Sequence, residues 1–205
     1  MDNQPPPTLI GRRLDHSAER FPQRQAIHYH PDGPTVTYAE LKKFSDTVAR
    51  GLLALGLKKG DPVALWAPNI PEWIFVQFGC AKAGVVLVTV NPNYRTLELE
   101  YLLKQSDCTT LFLVDGVRKK NEFSDMLNEL CPELKTSQPG ALRAARLPSL
   151  RNVIALGTEA CPGAFSWPAF LAGAERISNS ELSARQDSLK PDDIIGMQYT
   201  SGTTG

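Results

Sequence analysis

Residues 62–114 read PVALWAPNIPEWIFVQFGCAKAGVVLVTVNPNYRTLELEYLLKQSDCTTLFLV, and the alternation of apolar runs and turns within them decides the fold. Three short runs, Pro62–Ala67, Val85–Val90 and Thr109–Val114, are apolar almost without a break. A strand with one wet face would alternate polar and apolar residues, so unbroken runs of this length point to strands buried on both faces. Between the first two runs, Pro71 sits in the first turn of a helix that ends at Gly84. Between the second and third, Asn91-Pro92-Asn93 breaks the chain before a helix over Thr96–Gln105. Strand, helix, strand, helix, strand predicts an α/β fold: an open, mostly parallel sheet with helices on both faces.

The same reasoning extends in both directions. Thr8–Arg20 reads as a helix with Leu9, Leu14 and Ala18 apolar and Pro22 closing it. Gln25–His30 and Thr35–Tyr38 flank Pro31-Asp32-Gly33-Pro34, which predicts a hairpin. Thr37 with Glu40 three residues on is a capping box, opening a helix whose Leu41, Phe44, Val48, Leu52 and Leu55 share a face opposite Lys42, Lys43, Asp46 and Arg50. Gly56 stops that helix and Lys59-Gly60-Asp61 turns the chain. Further on come a helix within Lys119–Leu134, a strand at Asn152–Leu156, helical pieces at Trp167–Ala174 and Ser180–Leu189, and a strand at Ile194–Tyr199. Lys135–Leu150 has no period and reads as an exposed loop. The expected division is an N-terminal helix and hairpin over 1–36, then one larger domain over 37–205 that contains the loop at 135–150.

Composition narrows the function. A chain of 205 residues hides roughly 70% of its unfolded surface on folding and needs no metal or disulfide staple. Lysine plus arginine equals aspartate plus glutamate at 22 each, whereas affinity for a phosphate backbone draws on concentrated positive charge, so a nucleic-acid partner is not expected. The strongly apolar stretch Ala83–Val90 falls far short of the roughly 20 residues that span a bilayer, and no transmembrane segment is expected. The start, MDNQPPPTLIGRRLDHS, lacks an apolar signal core and is too acidic and Pro-rich for a transit peptide, which makes the cytoplasm the expected compartment. Cys80, Cys108, Cys131 and Cys161 lie far apart with no CxxC pair and read as reduced thiols.

The chemistry concentrates at the far end, Tyr199-Thr200-Ser201-Gly202-Thr203-Thr204-Gly205, behind an expected strand. Gly202 and Gly205 can take positive φ so that backbone N–H groups converge, and the hydroxyls of Thr200, Ser201, Thr203 and Thr204 add donors without bulk. Such a loop suits a polyphosphate; the competing reading is a frayed polar tail. It is neither GxxxxGK[ST] nor GxGxxG. The remaining candidates have bland explanations. His28 and His30 lack a third metal ligand, Asp192-Asp193 is an ordinary charged strand entry, and Cys80 has no histidine to activate it. Trp66, Trp73 and Phe78 are expected in the core. Pro68-Asn69 follows a strand, where open α/β sheets bind ligands, but a turn and cap explain it equally well.

Three stretches in order resemble the adenylate-forming superfamily of acyl-CoA synthetases, peptide-synthetase adenylation domains and luciferases. Val36-Thr37-Tyr38-Ala39-Glu40-Leu41 is similar to the first core motif, Ala81-Lys82-Ala83-Gly84 leading to Val90-Asn91-Pro92 to the second, and Gln198–Gly205 (QYTSGTTG) to the third, the phosphate loop. Gly60-Asp61 with Val63, and Pro68-Asn69, fall where family members carry them. Asn91–Arg95 followed by Glu98 and Tyr101-Leu102-Leu103 resembles the acyl-CoA synthetase branch, medium-chain fatty-acid CoA ligases in particular. The resemblance implies that residues 37–205 belong to the AMP-binding large N-terminal domain. It also implies a two-step reaction: a fatty-acid carboxylate attacks the α-phosphate of ATP bound with Mg2+, pyrophosphate leaves, and the thiol of coenzyme A captures the acyl-adenylate. Thr200, Ser201, Gly202, Thr203, Thr204 and Gly205 would then hold the β and γ phosphates. The family motif continues with proline, lysine and glycine, and the magnesium ligand, ribose ligand, acyl pocket and catalytic lysine lie further downstream. No catalytic or metal-binding residue is therefore assigned within these 205 residues, and the chain alone is expected to be inactive. The rival readings are a non-catalytic nucleotide- or partner-binding protein and an aryl or amino-acid adenylating enzyme.

Overall fold

Six strands line up as one sheet in the computed structural model, which describes residues 8–29, 33–114, 122–157 and 161–200. The strands are β3 (Pro62–Trp66), β4 (Val86–Val90), β5 (Thr110–Leu113), β6 (Asn152–Ala155), β7 (Phe165–Ser166) and β8 (Gly196–Gln198). Their order is β7-β6-β5-β3-β4-β8, and every neighbouring pair is parallel. Val63 stands opposite Leu87 and Thr110, and Val88 opposite Met197, so the carboxyl ends of the strands reach the same side of the sheet. The chain steps from β3 to β4 on one flank and to β5 on the other, which makes the end of β3 the point where the winding reverses.

Two compact units result, and they do not follow the expected boundary after residue 36. One unit comprises residues 61–69, 86–172 and 196–205; the other comprises 1–60, 70–85 and 173–195. Continuity of core, not sequence order, decides this division, because a parallel sheet forces the chain to leave and return between strands.

In the sheet-containing unit, alternation along β5 sorts the layers. Leu111 and Leu113 join Ala64, Trp66, Val88 and Val90 in a core covered by Leu99, Leu102 and Leu103 of α4 (Thr96–Gln105) and by Phe123, Leu127 and Leu130 of α5 (Glu122–Leu130). Trp66 stacks on Phe123 with ring centroids 4.0 Å apart. Phe112 points the other way and meets the edges of Trp167 and Phe170 on α6 (Trp167–Gly173), at 6.3 and 5.3 Å. Helices therefore cover both faces. Each large apolar side chain buried here contributes about 1.5–3 kcal/mol.

The stretch 135–150 is exposed along most of its length but is pinned to the core at four side chains. Leu142, Ala144, Leu147 and Leu150 are 1–3% exposed and belong to the same core. Their irregular spacing hid them, since a segment held by turn and side-chain bonds needs no period. Ala145 N–H donates to Glu133 Oε1, Leu142 N–H to Arg151 O and Arg151 N–H to Thr109 O. The short strand β7, two residues long, also escaped the sequence reading.

The other unit holds α1 (Ile10–Arg20), the hairpin β1 (Gln25–His28) and β2 (Thr35–Thr37), α2 (Tyr38–Ala54), α3 (Pro71–Ala83) and α7 (Asn179–Asp187). The tip of the hairpin and His30 lie outside the described residues; His28 Nδ1 is 3.2 Å from Thr35 Oγ1. The capping box forms as read: Thr37 Oγ1 accepts from Glu40 N–H and Glu40 Oε2 accepts from Thr37 N–H. Gly79 lets α3 lie against α2, because a Cβ there would stand 2.4 Å from Val48 Cγ1. The buried face of α2 is rotated from the expected one. Ser45 and Ala49 are buried, whereas Phe44 is 38% exposed and stacks on Phe75. Asp46 leaves the solvent face to meet Lys82, and Trp73 and Phe78 are half-buried rather than core. Burial here follows which neighbour each helix face meets, which a single helix's period does not record.

Candidate functional site

Thr200, the first residue of the expected phosphate loop, follows β8 (Gly196–Gln198) closely. β8 runs parallel to β4, with Thr89 opposite Gln198, and its carboxyl end delivers Tyr199 and then Thr200, whose side chain is exposed. Ser201, Gly202, Thr203, Thr204 and Gly205 lie outside the described residues. Crevices at the carboxyl ends of parallel strands are where open α/β sheets take ligands, since successive loops there diverge and leave room. Of the six residues assigned from sequence to phosphate binding, Thr200 is the one located, at that side of the sheet.

Beside it is a cleft of about 320 Å3 lined by Tyr94, Leu97, Glu98, Tyr101, Leu102, Tyr199 and Thr200. Its wall is built by local chemistry. Asn91 Oδ1 accepts from Asn93 N–H at 2.9 Å, and Tyr94 N–H donates to Asn91 O at 3.0 Å, closing the turn after β4. Glu98 reaches back to accept from Arg95 N–H at 3.0 Å, which starts α4. Arg95 pairs with Glu122 of α5 at 2.6 Å. Leu97 and Tyr101 stand on the outer face of α4, 76% and 64% exposed. Burial pushes the Tyr199 phenol above its ordinary pKa, and a hydrogen bond with Ser106 acts in the opposite direction. Sequence reasoning missed this cleft, although Tyr94, Leu97 and Tyr101 recur at spacings of three and four.

The other sequence candidates are structural. Asp193 pairs with Lys59 at 2.6 Å and accepts from Lys190 N–H; the Lys59 hydrogen bond and then that backbone bond hold its carboxyl below the usual range. Cys80 is fully buried, and desolvation pushes its thiol far up. Burial likewise raises Cys108 to about 11 and Cys131 to about 12. None of the four cysteines forms a disulfide with another. Among the described residues no group of histidine, cysteine, aspartate and glutamate side chains could hold a metal ion, and no helix is long and apolar enough to cross a membrane. Lys82 of the second motif is fully buried between two aspartates, which its sequence context, a lone charge in CAKAG, does not reveal.

The comparisons with known proteins agree with this architecture. The Bacillus subtilis (strain 168) protein YngI is 44% identical over 198 residues, which cover 97% of this chain and 36% of that protein. The mitochondrial medium-chain acyl-CoA ligase ACSF2 of Danio rerio is 40% identical over 198 residues, covering 97% of this chain and 32% of that one. Among solved structures, the anthranilate CoA ligase AuaEII in complex with anthranoyl-AMP superposes with a TM-score of 0.69 at 21% identity, covering 100% of this chain and 35% of that one. A fatty acyl CoA synthetase of Mycobacterium tuberculosis does so with a TM-score of 0.63 at 21% identity, covering 95% and 33%. At that identity the superpositions speak for the fold. The chain spans about a third of the length of the curated relatives it matches. Residues 14–205 match the AMP-binding enzyme family, and the chain belongs to it.

Proposed function

We propose that this chain supplies the phosphate grip of an ATP-dependent fatty-acyl-CoA ligase. The observation that supports the reading is that β8, parallel to β4, leads to Thr200, the first residue of the hydroxyl- and glycine-rich sequence, in a chain of the AMP-binding family. In this reading ATP arrives with Mg2+, the acid's carboxylate attacks the α-phosphate, and pyrophosphate leaves. Coenzyme A then takes the acyl group from the adenylate. Negative charge builds on the leaving pyrophosphate oxygens, so donors fixed in advance around them accelerate the step. Thr200, Ser201, Thr203 and Thr204 donate from their hydroxyls, and Gly202 and Gly205 from backbone N–H groups that approach closely for want of a Cβ. The fatty-acid substrate class follows the ACSF2 relatives and the Asn91–Arg95 resemblance.

The test is an NMR titration of the 205-residue chain with ATP, inorganic tripolyphosphate and adenosine. ATP and tripolyphosphate are expected to shift the amides of Thr200–Gly205 and adenosine to leave them in place. Shifts from adenosine alone, or none from either phosphate at millimolar concentration, would refute the assignment. The same chain is expected to form no acyl-CoA from ATP, coenzyme A and a fatty acid. In pyrophosphate exchange by a ligase of the relatives' length that carries this chain, preference for an amino acid over a fatty acid would exclude the substrate class.

A further inference from the structure

Helix α1 is attached to its unit by little apolar surface. Of its eleven residues it buries Gly11, Leu14 and Ala18. What it does possess is Asp15, whose Oδ1 lies 2.5 Å from Nζ of Lys82 on the last turn of α3. The same ammonium is 2.5 Å from Oδ1 of Asp46 on α2. Lys82 is 0% exposed, so it has no water to fall back on, and losing a carboxylate costs it far more than a surface pair would. Lys42 stands at the rim, 2.6 Å from Asp46 and 3.6 Å from Asp15, balancing the second carboxylate. Arg12 lies 4.0 Å from Asp15 and also pairs with Asp187 of α7.

The fit around the lysine is as exacting as its charge. A Cβ on Gly11 would stand 2.8 Å from Lys82 Cγ and 3.2 Å from Gln186 Oε1, so α1 reaches the lysine stem because residue 11 is glycine. The packing of α2 on α3 through Val48 and Gly79 does not involve α1.

We propose that Lys82 is a buried latch holding α1 as a separable strap, its ammonium joining Asp15 of the strap to Asp46 of the helices beneath. When α1 lifts, Lys82 keeps Asp46, and α2 and α3 keep their mutual contact, so the strap opens as one unit ahead of the rest. This gives Lys82, within Ala81-Lys82-Ala83-Gly84, a role that is independent of phosphate binding.

Amide hydrogen exchange on the 205-residue chain reads the latch segment by segment. Asp15→Asn removes the strap's charge, and Gly11→Ala wedges the strap off the lysine without changing any charge. In each variant the α1 amides are expected to exchange on the order of a hundredfold faster, while those of α2 and α3 change little, as the loss of one buried charge partner implies. Lys82→Met should release α1 too, and if that variant does not fold the other two decide. Equal loosening of α1, α2 and α3 would make Lys82 an ordinary core ion pair and overturn the latch. Unchanged protection of α1 in Asp15→Asn, or α1 amides already unprotected in the parent chain, would overturn it as well.

Discussion

Glu100 on α4 shows how much one carboxylate can owe to residues distant in sequence. Arg146 donates to both of its oxygens, Nε to Oε1 at 3.0 Å, and Lys104 donates to Oε1 at 2.7 Å. These bonds, the arginine's first, hold the Glu100 carboxyl at about 2, against an ordinary 4.5. A folded-state value below the unfolded one stabilises the fold above the unfolded pKa. That contribution fades as pH falls from about 4.5 to about 2. Solvent near the pair keeps the contribution small. Arg146→Ala is expected to raise the Glu100 titration midpoint toward 4.5, followed by the side-chain carboxyl carbon shift, and to flatten the acid limb of stability. An unmoved midpoint would show that Lys104 alone sets it. The i,i+4 spacing of Glu100 and Lys104 is visible in the sequence; the arginine, 46 residues away, is not.

At the scale of elements, the stretch 135–150 separates pattern from packing. Its leucines serve as core residues although no period announces them, because their backbone is held by turns and by Glu133 rather than by a helix or ladder. Leu147→Ala is expected to destabilise the chain by about 2–5 kcal/mol through the cavity it leaves. Arg143→Ala, an exposed neighbour, should stay within about 0.5 kcal/mol. Urea unfolding of the two variants checks the contrast, and equal midpoints would return the segment to the surface. Elements whose signals are local were legible in advance: the capping box at Thr37 and Glu40, Pro71 at the start of α3 and Gly84 with φ of 68° at its end.

For the whole molecule, the sheet unit leaves an apolar area at the same side as the site. Leu97 and Tyr101 of the cleft are 76% and 64% exposed, and β8 is an edge strand. Exposed apolar groups beside an edge strand bind dyes and other chains. The chain is expected to enhance the fluorescence of an apolar dye while folded, and Leu97→Glu with Tyr101→Glu to reduce that signal without lowering the urea midpoint. Undiminished dye binding in the double variant would place the dye elsewhere. Relatives about three times as long have further polypeptide with which to cover such a surface.

The sequence by itself determined the succession of the longer strands and helices, β7 excepted, the parallel α/β class and the position of the hydroxyl-rich stretch behind a strand, because caps, breaks and apolar runs act over a few neighbouring residues. Only the tertiary structure decided that Thr200 stands beside a cleft walled by Tyr94, Leu97 and Tyr101, that Leu142, Ala144, Leu147 and Leu150 enter the core, and that Lys82 lies between Asp15 and Asp46. Those partners are 67 and 36 residues away from it. The physical reason is that desolvation and ion pairing depend on what the folded chain brings alongside a group, and no local pattern records that.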